Sequence, residues 1–111
     1  MNIPENAYLL RIFIGESDRW EGQPLYEAIV RKAKNDGLAG ATVLRGVMGF
    51  GANSRIHTAG ILRLSEDLPI VIEIVDAKEK IEHFSLEIDG MLGEGLATLE
   101  KAQVVHYRHR K

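Results

Sequence analysis

The sequence contains no cysteine, which excludes disulfide bridges, thiolate metal sites and a cysteine nucleophile. Redox chemistry therefore does not indicate a compartment. Long apolar runs are also missing: no stretch approaches the ~20 residues that a membrane-spanning helix needs. The opening Met-Asn-Ile-Pro-Glu-Asn lacks the basic and apolar regions of a signal peptide. A cytoplasmic protein is expected. Nor is there a strong charge of one sign. A net charge of −2 gives no global field for nucleic acid or membrane, so either partner would need a local patch.

What is present fits one soluble domain. The 111 residues, 45% hydrophobic and 27% charged, are expected to form a single unit over 1–111 that buries about two-thirds of its unfolded surface. The chain is organised around residues 40–60. Positions 41–48 are rich in β-branched and large apolar types and read as a strand, interrupted by glycines at 46, 49 and 51 that predict a bulge or a close backbone approach. The loop beyond carries Asn53, Ser54, Arg55, His57 and Thr58, a dense set of donors where a small anion could bind.

Around this stretch the apolar periodicity alternates between two and 3.6. Residues 8–14 read as a strand with Leu10, Ile12 and Ile14 on one face and Leu9, Arg11 and Phe13 on the other. A loop with the only tryptophan, Trp20, leads to Pro24 at a first helical position, then to a stripe of Leu25, Tyr26, Ile29, Val30 and Ala33 closed by Gly37. Residues 61–64 read as a returning strand and 70–75 as the clearest strand. Asp76 with Glu79 forms a capping box opening a second helix, whose apolar face runs through Ile81, Phe84 and Ile88, and residues 99–107 supply a last strand.

This order predicts an α+β, ferredoxin-like βαββαβ domain, its antiparallel sheet covered on one face by two helices. The uncovered face would hold Leu9, Arg11, Phe13, Val43, Arg45, Val71, Glu73 and Val75. It is too apolar to be left in water, and another copy of the chain is the simplest cover. Arg11 and Glu73, on neighbouring strands, are expected to pair there, within or between subunits.

The motifs then suggest a family. Gly-Ala-Thr-Val at 40–43 followed by Gly-Phe-Gly at 49–51 resembles the Gly-x-Thr-Val…Gly-Phe-Gly signature of PII signal-transduction proteins. Leu-Pro at 68–69 with Ile-Glu-Ile-Val at 72–75 resembles their Leu-Pro…Ile-Glu-Ile-Val strand, and Gly-Glu-Gly at 93–95 falls where they have Gly-Asp-Gly. Nearly the whole chain is similar to the uncharacterised PII-like (GlnB-like) branch called domain of unknown function one-ninety. The resemblance implies a homotrimer with small-molecule clefts at the subunit boundaries and a signalling loop, here 52–59, shorter than in PII proteins and without their nucleotidylated tyrosine. It further implies an adenine nucleotide as ligand and a membrane transporter or channel as partner. Leu96 replaces the lysine that follows Gly-Asp-Gly in the family, and one extra residue between Gly40 and Gly49 implies a bulge at Gly46.

The residues expected to bind the ligand are Thr42, Gly49, Phe50, Gly51, Arg55, His57, Gly93, Glu94, Gly95 and Arg108. Amides in the two glycine turns can point together at an anion, and the arginines can add forked hydrogen bonds. No catalytic residue is expected: Ser17, Ser54, Ser65 and Ser85 stand in no nucleophile motif. No metal site is expected, because His57, His83, His106 and His109 lack ligand spacing. The basic run 107–111 reads as a solvated end, not a nucleic-acid site. The expected function is sensing of a small anionic metabolite. A ligand-free interaction trimer and a metal-handling trimer are the other readings.

Overall fold

A computed structural model describes residues 3–51 and 67–108. Strand β1 spans Asn6–Gly15, and a small hairpin of β2 (Arg19–Trp20) and β3 (Gln23–Pro24) leads into helix α1, Leu25–Asn35. Strand β4 is Thr42–Arg45 and β5 is Pro69–Asp76. Helix α2, Lys78–Ile88, runs on through a 3-10 turn to Met91 before β6, Leu96–Gln103. The sheet order is β4-β5-β1-β6 and every pairing is antiparallel, which is the ferredoxin-like order expected from the sequence. The expected returning strand at 61–64 and signalling loop at 52–59 lie outside the described residues.

The alternation of β1 and β5 builds the core. Leu10, Ile12 and Ile14 of β1 register with Ile74, Ile72 and Ile70 of β5, so all six point to one face. Leu25, Ile29 and Ala33 of α1 and Ile81, Phe84 and Ile88 of α2 cover them. Each large side chain buried in this way contributes about 1.5–3 kcal/mol.

On the opposite face, Arg11 stands opposite Glu73 and donates to it through Nε at 2.8 Å, within one chain as one of the two expectations had it. Its Nη1 reaches Glu100 on β6 at 3.1 Å, so one guanidinium ties three strands. The hydrogen bond to Glu73 is the main reason its pKa is raised. The membership of this face differs from expectation on β4. Register pairs Val43 with Ile72 and Arg45 with Ile70, so those two lie on the helix side, and Thr42 and Leu44 take the open face.

Several local expectations are corrected. The strand expected over 41–48 is only four residues long, and its register shows no bulge. The ladder continues through Gly46 N–H to Pro69 O, and the chain then wraps over Pro69. A Cβ at Gly46 or Gly49 would lie 2.7 or 2.9 Å from Pro69 Cγ, so these glycines serve close approach. Pro24 is the residue before α1, with ψ 133°, not its first helical residue.

Asp76 makes no capping box. It ends β5 almost fully buried, and its carboxylate accepts from Ala77 N–H at 2.6 Å and Ala39 N–H at 2.9 Å. Lys80 Nζ lies 3.7 Å away and donates to Gly37 O. The buried carboxylate thus fastens the segment after α1 to the start of α2. The last strand begins at Leu96 instead of 99 and ends at Gln103, after which Val104 N–H bonds Glu5 O.

Candidate functional site

The antiparallel register brings the C-terminal end of β1 against the N-terminal end of β5, pairing Gly15 with Pro69. The loop after β1 is tied down by two carboxylates. Asp18 Oδ2 accepts from Gly15 N–H at 2.9 Å, and Asp67 Oδ1 accepts from Ser17 N–H at 3.1 Å and Ser17 Oγ at 2.7 Å. A Cβ on Gly15 would press on Asp67 Oδ1, so a larger residue there would push that carboxylate away from Ser17.

On one side of this strand end lies the 46–51 turn. On the other lies Gly95, whose φ of +150° favours glycine and whose added Cβ would stand 2.9 Å from Phe13 O. Between them is a cleft of about 620 Å³. Gly49, Phe50 and Gly51 line it from one turn, and Glu94, Gly95 and Leu96 from the other. Two glycine turns distant in sequence thus face each other across the end of the sheet. Phe13, Ile14 and Pro69 form its apolar wall, and Phe50 and Leu96 remain more than half exposed at its mouth.

The charge of the cleft is not what two phosphate cradles alone would suggest. Asp18, Asp67 and Glu94 line it, and no lysine, arginine or histidine does so among the described residues. Arg45, at the end of β4, is engaged by Glu16 of the neighbouring loop. A bound anion therefore needs positive charge from a group beyond this lining.

Of the other residues expected from the sequence, Thr42 lies opposite Glu73 on the open sheet face, away from the cleft lining. Gly93 is exposed and its added Cβ would meet open space. Arg108 is exposed, with Nη2 3.4 Å from His106 Nδ1. Arg55 and His57 lie outside the described residues. Sequence reasoning missed Phe13, Gly15, Asp18, Asp67 and Pro69 as cleft residues. The signal available was Gly15 at the end of the first strand, which antiparallel pairing would carry to the start of the strand at 70–75.

Among the described residues no group of three histidines or carboxylates could hold a metal ion, and no helix is long and apolar enough to cross a membrane.

Comparison with known proteins extends these observations. Residues 7–104 match the model of the family DUF190, described as "Uncharacterized ACR". A relative named UPF0166 protein, from Aquifex aeolicus, is 43% identical over 98 residues, covering 88% of this chain and 92% of its own length.

Two solved structures share the fold. CPII from Thiomonas intermedia K12, described as a nitrogen regulatory PII-like protein bound to ADP, AMP and bicarbonate, superposes with a TM-score of 0.65 at 13% identity, covering 93% of this chain and 97% of CPII. A putative PII-like signaling protein from Thermus thermophilus gives a TM-score of 0.63 at 18% identity, with 90% of each chain covered.

Proposed function

This chain belongs to the DUF190 family, and from that premise we propose that it is a non-catalytic PII-like regulator that binds a small anionic metabolite in the cleft at the sheet end. The observation that carries this reading is the convergence of residues 49–51 and 94–96 on one cleft. Glycine amides at such turns suit an anion, and the aromatic and aliphatic wall suits a flat organic group.

An adenine nucleotide satisfies both halves. The ADP, AMP and bicarbonate described with CPII support trying these ligands first. Because the lining described is acidic, positive charge is assigned to Arg55 and His57 of the 52–59 loop, with Arg108 of the same or a neighbouring copy as a further source. Binding would be reported through that loop to a protein partner, a membrane transporter or channel.

The assembly proposed is a cytoplasmic homotrimer of single-domain subunits. Its support is the open sheet face, where Leu44 is 49% exposed beside half-buried Leu9, Phe13, Val71 and Val75. Copies packed on that face would remove this apolar surface from water.

The test is thermal unfolding with AMP, ADP, ATP, bicarbonate and cyclic dinucleotides. A ligand at a hundred times its Kd should stabilise by about 2.7 kcal/mol. Loss of the shift in Gly51→Val and Arg55→Ala, with the oligomer retained, is the expected result. Absence of a saturable shift from every ligand would favour the second reading, an interaction trimer. That reading has its own observation: Val47, Met48 and Phe50 are 82%, 77% and 66% exposed on one turn, as a docking surface would be.

A further inference from the structure

A second concavity lies in the helix layer and shares no lining residue with the cleft. It is a groove of about 540 Å³ between the β2–β3 hairpin and the ends of α1 and α2. Ala28 of α1 is buried at its floor. Trp20 of the hairpin and Met91 after α2 stand on either side, each half-buried against the core.

The charges of the groove are separated by the helix itself. Arg31 and Asn35 form one i,i+4 row on α1, and Lys32 and Asp36 form the adjacent row. The first row faces the hairpin, because Arg31 Nη1 reaches Gln23 Oε1. That contact is long, 3.5 Å, and exposed, and it is the only hydrogen bond the guanidinium makes among the described residues. The second row faces α2. Lys32 Nζ sits 3.2 Å from Asp36 and 3.4 Å from Glu87, so two carboxylates share one ammonium and leave one negative charge in excess. His83 Nε2, 3.5 Å from the same Glu87, stands outside the groove lining. The two carboxylates raise the pKa of Lys32, first through its hydrogen bond to Asp36.

We propose that this groove binds a small zwitterion with an apolar body, of the chemical class of an α-amino acid. Its carboxylate would take the guanidinium fork of Arg31 and the amides of Gln23 and Asn35, in place of the weak Arg31–Gln23 contact. Its ammonium would share Asp36 and Glu87, and its side chain would lie over Ala28 between the Trp20 indole and Met91. A ligand with only one of the two charges leaves half of this arrangement unmet.

Trp20 is the only tryptophan, so its emission reports on this groove. Purified protein is titrated with L-leucine, with 4-methylpentanoate (carboxylate only) and with isopentylamine (ammonium only). Leucine should change the emission saturably, and either single-charge analogue should bind at least about tenfold more weakly. Arg31→Gln and Asp36→Asn, both at exposed positions and expected to fold, should each weaken leucine by a similar factor. No saturable change with leucine, equal binding of the analogues, or unaltered leucine binding in Arg31→Gln would each overturn the proposal. None of these outcomes touches the nucleotide reading of the cleft.

Discussion

The helix face of β1 and β5 and the end of the same two strands obey different rules. On the helix face six aliphatic side chains are at most 6% exposed, whereas at the strand end Val47, Met48, Phe50 and Leu96 are 57% exposed or more. Both regions are rich in apolar residues. What separates them is the backbone: regular pairing presents alternate side chains to the helices, while the end is shaped by glycines pressed against Pro69 and Phe13. The first region holds the fold together. The second holds a cleft open and leaves apolar groups facing water, as a binding or assembly surface requires.

The sharpest way to break this comparison is to injure the first region alone. Ile72→Ala, at a fully buried site, should cost about 2–5 kcal/mol through lost burial and the cavity left behind. Denaturant midpoints would measure it, and a loss under about 1 kcal/mol would mean that the core does not carry the stability assigned to it here.

A smaller effect should separate two glycines of one turn. Gly95→Ala forces a Cβ to 2.9 Å from Phe13 O at a φ of +150°, which should destabilise by about 1–3 kcal/mol. Gly93→Ala meets open space and should change stability by no more than about 0.5 kcal/mol. Similar melting temperatures for the two variants would contradict the account of the cleft's geometry.

The smallest effect lies outside both regions and depends on pH. Lys32 has a pKa raised above its ordinary value of 10.5. A raised folded value means that its contribution is complete below the ordinary value and is lost as pH climbs through the raised one. Stability should therefore fall slightly on the alkaline side of that value. Lys32→Gln should remove that part of the dependence, which paired alkaline melting curves of the two proteins would reveal.

The parts legible in the sequence are those governed by local periodicity. Leu10, Ile12 and Ile14 alternate, Ile81, Phe84 and Ile88 recur at helical spacing, and both patterns reappear as the core. The Arg11–Glu73 pair followed from two strands being neighbours. Val43 and Arg45 were misplaced because a four-residue strand carries too little pattern to set its own register, and a shift of one residue exchanges the faces. Asp76 looked like half of a capping box from its spacing to Glu79, yet it ends a strand, and burial beside the Ala39 and Ala77 amides gave its carboxylate other partners. The glycine turns were recognisable as candidates, but Asp18 and Asp67 joined them only through pairing of Gly15 with Pro69.

By itself, then, the sequence determined the four strands of the described sheet, the two helices, the aliphatic core and the family, because side-chain period and motif order are properties of neighbouring residues; the β2–β3 hairpin, read there as a loop, was not among them. Only the tertiary structure decided that residues 49–51 and 94–96 share one acidic-edged cleft, and that Trp20, Arg31 and Glu87 border another groove. Those juxtapositions depend on strand order and register, which bring distant segments together through contacts that no local pattern encodes.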